Sequence, residues 1–398
     1  MSSPIVRTVL PLALITSTSM LAMDLFLPAV PGLQTALGTS VTLAQATIAV
    51  FLAGLAASQL VWGEAMSRFG PRRCVFAGAL LLCFAGAGCA LSPDIHWLLA
   101  MRALQGAAAG AATVVAPSVV RATLHDTDAM RGIATLSMVE SLVPAGGPVL
   151  GAALLLVMDW RGTFWMLAAV TLVVLPFVVR VTPLQLPGLD RRVASGYGAI
   201  LSNRRYLRVG LSHALCFAAL ITFVASGPQL VLRAYGLGPS AFALLQVLSV
   251  STFLLVASQA GRIGRHLGAR RAIHLGAVGH VVVCGLLGVW ALAAAVPFAA
   301  LAVFWCGFCG VLALRGPAAF SEALSLPPSQ MGRATAMFTL ALLLAGAVGT
   351  LAVAPFLTGS SVVPLAVTML VLCALSAALV MPYPEAPSPG AKTRAGAD

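Results

Sequence analysis

Apolar runs of about twenty residues recur twelve times along this 398-residue chain. A helix needs about 20 apolar residues to cross the hydrocarbon core of a bilayer. Hydrophobic residues make up 60% of the sequence and charged residues 9%, which excludes a soluble protein of this length. We therefore predict an all-α polytopic membrane protein with twelve transmembrane helices. The predicted spans cover approximately residues 8–30, 41–62, 74–92, 96–119, 132–158, 162–180, 206–227, 240–261, 272–291, 295–318, 333–357 and 362–381.

A basic motif divides the chain into two related halves. The segment Gly63–Arg73, GEAMSRFGPRR, returns as Gly261–Arg271, GRIGRHLGARR, with both glycines and the closing arginine pair in register. We interpret each copy as a short turn between two spans. Parallel internal repeats in a membrane protein are typical of transporters. We predict two pseudo-symmetric six-helix bundles, residues 1–180 and 206–381, with a cytoplasmic linker at 181–205 and a disordered cytoplasmic tail at 382–398.

The basic residues alternate from one loop to the next. Nineteen of the 23 fall at the N-terminus, in every second loop or in the C-terminal tail, while Arg161 and Arg233 lie in the intervening loops. Loops rich in Lys and Arg face the cytoplasm, so both termini are predicted to lie there. The net charge of +12 also fits a nucleic-acid binder, but the charges sit between apolar runs rather than on a soluble domain. We therefore expect a lipid bilayer, and no nucleic acid, as the partner of this surface.

Two ionisable residues fall at similar predicted depth inside the membrane. Asp24 lies about one turn before Pro28 in the first span, and Arg102 lies in the fourth span. A charge at such a depth costs at least about 2.5–3.5 kcal/mol, so each should face a cavity or a partner. For Asp24 the alternative is a helix-end carboxylate that reaches the membrane surface. For Arg102 the alternative is a purely structural counter-ion.

The fifth span combines a carboxylate with helix-bending residues. Glu140 precedes Gly147-Pro148-x-x-Gly151, where proline removes a backbone hydrogen bond and glycine allows close helix packing. Glu140 is either a second proton site or a carboxylate paired with an arginine of a cytoplasmic loop. In the second half, Arg315 and Glu322 are expected to form an interfacial pair.

Several uncharged residues are candidates for the lining of a cavity. In the fourth span, Gly106 and Gly110 have the spacing of a close-packing face, and a substrate passage along that face is compatible with it. The glutamines could line a cavity or only bond neighbouring helices. The cavity candidates are Gln59, Gln105, Gly106 and Gln229.

These motifs together resemble those of the major facilitator superfamily. The similar stretches are Met23–Pro31 (MDLFLPAVP), the basic loop Gly63–Arg73, Arg102-Ala-Leu-Gln105-Gly106, Gly147-Pro148-x-x-Gly151 and Ser226-Gly227-Pro228. Within the superfamily the chain resembles the Bcr/CflA-like drug:proton antiporters, which are relatives of chloramphenicol and florfenicol exporters. The resemblance implies two bundles that rock around a central cavity. It also implies a monomer in a bacterial inner membrane, driven by the proton gradient without a cofactor.

The resemblance also implies roles for individual residues. Asp24 matches an acidic residue that binds protons or cationic drugs, and Arg102 matches an arginine that influences its protonation and the conformational coupling. Gly147 and Pro148, with Gly151, match a bend associated with antiport. The basic loop matches a conformational latch through Gly63, Ser67, Arg68, Gly70, Arg72 and Arg73. Ser67 stands where the family has an aspartate, and Glu64 lies three residues away, which puts that latch in question.

The function predicted from these residues is export of a lipophilic drug or related small molecule in exchange for protons. Proton and drug would compete for one cavity and bias the same rocking equilibrium. Proton-coupled export or uptake of an endogenous metabolite remains an alternative. A non-transporting receptor and a membrane-embedded enzyme are further alternatives, although the sequence contains no H-E-x-x-H, G-x-S-x-G or P-loop pattern. No metal site is predicted.

Overall fold

The computed structural model describes residues 4–124, 126–185, 197–323, 325–326 and 328–381. Twelve helices in this part of the chain are long and apolar enough to cross a membrane, as predicted. The same residues contain no β-strand. We number the long helices α1 (Pro4–Asp24), α2 (Val41–Phe69), α3 (Pro71–Ala90), α4 (Ile95–Thr123), α5 (Asp126–Leu154), α6 (Trp160–Val181), α7 (Arg204–Tyr235), α8 (Pro239–Leu267), α9 (Ala269–Ala293), α10 (Phe298–Ala323), α11 (Pro328–Val353) and α12 (Val363–Val380).

The first helix ends where its sequence removes a backbone donor. Pro28 has no N–H to donate to the carbonyl of Asp24, so α1 ends at Asp24. The chain continues as a 3₁₀ helix over Leu27–Gly32 and a single α-turn over Leu33–Ala36. We call the end of the bundle that holds this segment the Gln34 end, and the opposite end, which holds Gly63–Arg73, the basic-loop end.

The two copies of the repeated motif adopt the same backbone shape. Gly70 has φ +82° and caps α3, and Gly268 has φ +76° and caps α9. Positive φ is accessible to glycine with little strain, which explains glycine at both positions. The prediction that each motif is a short turn was wrong, because α2 runs on to Phe69 and α8 to Leu267. The turn is confined to the glycine.

Helix packing follows the repeat. In the first half α4 packs on α1, α2 and α3, and in the second half α10 packs on α7, α8 and α9. Likewise, α6 packs on α1 and α3, and α12 packs on α7 and α9. Contacts between the halves run through α2 with α11 and α5 with α8, and through the Leu27–Gly32 segment with α7. The halves therefore meet along two helix pairs, with the chain just after Asp24 inserted between them.

Of the predicted linker, the described part contains a short helix, Tyr197–Leu201, before α7 begins at Arg204. Residues 186–196 and the predicted tail, 382–398, lie outside the described residues.

Candidate functional site

Asp24 is buried where α1 ends against α5. The residue is 8% exposed. A Cβ added at Gly147 would lie 2.5 Å from the Asp24 Cβ, and one added at Gly151 would overlap the Leu25 carbonyl oxygen. The two glycines thus allow the end of α1 to pack closely against α5, as predicted for this glycine spacing. Among the described residues, none donates a hydrogen bond to the Asp24 carboxylate or forms an ion pair with it.

Arg102 is fully buried on α4 and binds the end of α1 through the backbone. Its NH1 donates to the carbonyl of Ala22 at 2.8 Å and to Oε1 of Gln105 at 2.6 Å. Its Nε donates to the carbonyl of Thr47 on α2 at 3.4 Å. NH2 has no acceptor within the described part of the chain. Arg102 therefore holds α1 two residues before Asp24 without forming an ion pair with it.

Three aromatic rings surround the Arg102 guanidinium. Its central carbon lies 4.4 Å from the ring centre of Phe51, 4.9 Å from Phe26 and 5.8 Å from Phe164. Rings at these distances attract a cation through their quadrupoles, and the attraction is stronger where water is excluded. The cage explains how a positive charge is tolerated here. Sequence reasoning missed it, because the rings come from three separate segments.

Glu140 is half-buried on α5, seven residues or about two turns from Gly147 toward the basic-loop end. The structure gives its carboxylate no hydrogen bond and no arginine partner among the described residues. The alternative that a loop arginine pairs with Glu140 is therefore not supported in the described chain.

The polar cavity candidates are bound to neighbouring helices. Gln59 donates to Oγ1 of Thr113 at 3.1 Å, which ties α2 to α4. Gln105 accepts from Arg102, and its Nε2 has no acceptor in the part of the chain described. A Cβ at Gly106 would overlap the Phe51 carbonyl oxygen, so this glycine serves close packing. Gln229 belongs to a different feature, at the Gln34 end.

Gln34 joins the two halves by hydrogen bonds at the end of the bundle. Its Nε2 donates to Oε1 of Gln229 at 3.1 Å and to the Pro31 carbonyl at 3.3 Å. NH2 of Arg233 donates to Oε1 of Gln34 at 3.1 Å. We call Gln34, Gln229 and Arg233 the Gln34 clamp. Sequence reasoning did not select Gln34 or Arg233, although Arg233 is one of the few arginines outside the basic loops.

The basic loop is tied to its own half. Nε of Arg72 donates to the Thr182 carbonyl at 2.8 Å, and a Cβ at Gly70 would overlap the Leu184 carbonyl oxygen. Glu64 pairs with Arg68 at 2.7 Å, and Ser67 donates to the Glu64 carbonyl. A Cβ added at Gly63 would have no atom within 4 Å, and Arg73 is exposed. Outside this loop, the predicted gating residue Pro148 is buried in α5. Glu64 thus bonds within its own helix and not to the second half.

The prediction that Arg315 and Glu322 form an interfacial pair was wrong. Arg315 is fully buried, and its NH2 donates to the hydroxyls of Ser212 at 2.6 Å and Ser376 at 3.0 Å. Glu322 instead pairs with Arg205. Arg315 faces α7 and α12, which carry Ser212 and Ser376, rather than the end of its own helix.

Within the described residues, no group of three or more His, Cys, Asp or Glu side chains is placed to hold a metal ion.

Comparison with known proteins points to one family. The model of the Major Facilitator Superfamily matches residues 12–350. The multidrug resistance protein MdtL of Escherichia coli strain SMS-3-5 is 28% identical over 236 residues, which are 58% of this chain and 60% of MdtL. MdtL of Escherichia fergusonii matches with the same identity and coverage. The aligned region thus spans less than two thirds of these relatives.

Solved structures show the same fold at low identity. The xylose transporter XylE from E. coli, in a partially occluded inward open conformation, superimposes with a TM-score of 0.76 at 14% identity, covering 96% of this chain and 98% of XylE. The POT family transporter PepTSo gives a TM-score of 0.76 at 14% identity, covering 96% and 97% of the two chains. A D-xylose-proton symporter gives 0.71 at 16% identity, covering 92% and 96%.

Proposed function

Because the chain belongs to the major facilitator superfamily, we propose that it exports lipophilic small molecules in exchange for protons by alternating access. Membership makes it a multi-pass membrane transporter, and the membrane-embedded enzyme is thereby excluded. Its first-span sequence, Met23–Pro31, supports assignment to the Bcr/CflA-like branch as part of this proposal. One observation carries the proton coupling: Asp24 is a buried carboxylate that no described residue neutralises.

An isolated carboxylate inside a membrane is unfavourable unless it is paired or protonated. A proton removes the charge without any change in the protein's own contacts. Asp24 therefore favours a closed, dry surrounding when protonated and an open, wet one when ionised. A residue with this property biases a two-state rocking equilibrium, which is the physical requirement for coupling.

Arg102 supports this role by position. It grips the Ala22 carbonyl, so the end of α1 is fixed to α4 while the Asp24 side chain stays unpaired. Its positive charge, shielded by Phe51 and Phe26, leaves Asp24 available to a proton or to a cationic group of a drug. Gly147 and Gly151 let α5 follow α1 closely, so a change at Asp24 is transmitted to a helix that meets the second half.

The orientation follows from the arrangement of charges. With the basic loops in the cytoplasm, the Gln34 end faces outward and both termini face the cytoplasm. The Gln34 clamp then closes the outer side of the transporter, and a proton from outside reaches Asp24 after the clamp opens. We expect the bacterial inner membrane as the location, the proton gradient as the energy source without a cofactor, and a monomer as the working unit.

The substrate class rests on two supports. The relatives aligned over part of their length are named multidrug resistance proteins. The helices through which the halves meet, α2, α5, α8 and α11, are strongly apolar spans, which suits lipophilic molecules of varied shape. A proton-coupled transporter of an endogenous metabolite is the alternative that the following experiment separates.

The experiment compares drug resistance and accumulation in a pump-deficient bacterium. The native chain, Asp24→Asn and the control Asp128→Asn are expressed at matched levels and tested with phenicols, cationic dyes and fluoroquinolones. Asp128 is exposed and only 3.9 Å from Arg131, so its loss removes a surface contact. We expect at least one compound to accumulate less with the native chain and the control, but not with Asp24→Asn. If no compound responds, drug export fails and metabolite transport takes its place.

A further inference from the structure

A groove of about 340 Å³ lies between the two halves at the Gln34 end. One wall comes from the segment between α1 and α2, with Pro28 and Gly32, and from the connection between α5 and α6, with Met158. The opposite wall comes from α7 and the start of α8, with Pro228 and Pro239. The groove is therefore continuous with the interface between the halves and belongs to neither half alone.

The groove offers an apolar surface with its one charged lining residue already engaged. That residue is Asp159, whose Oδ1 accepts from the backbone N–H groups of Arg161 at 3.1 Å and Gly162 at 3.3 Å. Its Oδ2 lies 3.8 Å from the Arg161 guanidinium. A ligand would meet leucine, methionine, proline and tryptophan side chains, so its chemistry must be uncharged and apolar. The volume is at the lower limit of small-molecule sites, about 300–1,000 Å³, so the ligand must be compact.

The walls are preformed and lie at the ends of helices. Prolines fix their own backbone φ, so Pro28, Pro31, Pro228 and Pro239 hold both walls in shape. The ring of Trp160 packs against Phe164 with ring centres 6.2 Å apart. The lining comes from helix ends and the connections between them, so the groove lies at the Gln34 end of the bundle. Its small volume suits a compact molecule better than a lipid acyl chain.

The groove and the Gln34 clamp are built from the same short stretches of chain. Pro31 and Gly32 lie three and two residues before Gln34, and Pro228 and Leu232 adjoin Gln229 and Arg233. Opening of this end must separate both the clamp and the groove walls. We propose that the groove binds a compact, uncharged apolar molecule only when the Gln34 end is closed, and that the bound molecule blocks opening and inhibits transport. The binding does not depend on the proposed function, whereas the inhibition rests on it.

Binding can be measured with N-phenyl-1-naphthylamine, an uncharged apolar fluorophore, on the full chain in lipid nanodiscs. The test variant is Gly32→Leu and the matched control is Gly198→Leu. Both glycines are exposed, and an added Cβ meets no atom within 4 Å at either one. Gly32 also has φ −72°, which any residue adopts. Gly32 lines the groove, whereas Gly198 lies in the short helix Tyr197–Leu201.

We expect saturable probe fluorescence on the native chain and on Gly198→Leu, with affinity at least about tenfold weaker on Gly32→Leu. Equal saturable binding to all three proteins, or no saturable binding to the native chain, overturns the site. The second measurement is drug efflux, which the probe should inhibit in the native chain and not in Gly32→Leu. If the native chain moves no drug, the proposed function fails while the binding result still decides the site. Binding without inhibition of an active native chain overturns the inhibitory part.

Discussion

Removal of the Gln34 clamp should shift the chain toward the conformation in which this end is open. Gln34→Leu deletes the hydrogen bonds to Gln229 and from Arg233 and leaves an apolar side chain that is one atom shorter. The same change leaves Oε1 of Gln229 without its donor in the closed state, although Gln229 is only 1% exposed. Both effects act on the closed state, because opening separates the two halves.

The free-energy cost to the closed state comes mainly from Gln229, the buried partner of Gln34. A buried acceptor left without a donor costs about 1–3 kcal/mol, whereas the exposed contact from Arg233 contributes little after solvent screening. A total of about 2 kcal/mol changes the ratio of closed to open molecules by about thirtyfold. A native chain that is almost entirely closed at this end would therefore become measurably mixed.

Distances between spin labels report the two populations. Labels at Ala36→Cys and Ser240→Cys, both exposed and on opposite halves, lie next to the clamp. Cys83 and Cys306, the two cysteines that are not fully buried, are replaced by serine in all samples. Thr35→Val is the control, because the Thr35 hydroxyl donates only within its own segment, to the Gly32 carbonyl at 3.0 Å. We expect a longer distance to gain population in Gln34→Leu and not in Thr35→Val.

A closed-to-open ratio that changes less than about threefold in Gln34→Leu would refute the reasoning. The same holds if Thr35→Val opens the chain equally, because the effect would then come from the segment and not from the clamp.

Three further predictions concern the first half. Arg102→Lys keeps the positive charge but loses the planar guanidinium that bonds several acceptors at once, so drug efflux should fall at least about tenfold at equal expression. Unchanged efflux would show that only the charge of Arg102 matters. Gly106→Leu forces a side chain against the Phe51 carbonyl and should lower the melting temperature by about 5 °C or more, whereas Gly146→Leu, with open space at its Cβ, should change it by less than about 2 °C. Equal melting temperatures would refute this packing. Glu140→Gln should retain more than about half of the efflux, and complete loss would give Glu140 the proton role that we assign to Asp24.

The parts of the fold that could be predicted depend on local composition. The twelve spans follow from hydropathy, and the two halves follow from a motif whose central glycines, Gly70 and Gly268, take the same positive φ. The extension of α2 to Phe69 was missed, because a charged segment continues as a helix when it projects beyond the membrane. The hydropathy of a span does not mark where its helix ends.

The site was only partly predictable, because its contacts join distant segments. Burial of Asp24 and Arg102 followed from their depth. The aromatic cage around Arg102 and the bond between Gln34 and Gln229, 195 residues apart, depend on which helix faces meet. The prediction that Arg315 pairs with Glu322, which lies close to it in sequence, was wrong for the same reason, because both residues bond partners from other helices.

The central claim, that Asp24 couples transport to the proton gradient, is tested most directly in proteoliposomes. A pH gradient is imposed, and uptake of an identified substrate is compared with substrate exchange measured without a gradient. We predict that the native chain shows both activities, and that Asp24→Asn still exchanges substrate but does not respond to the gradient. Gradient-driven uptake by Asp24→Asn at the native rate would contradict the account.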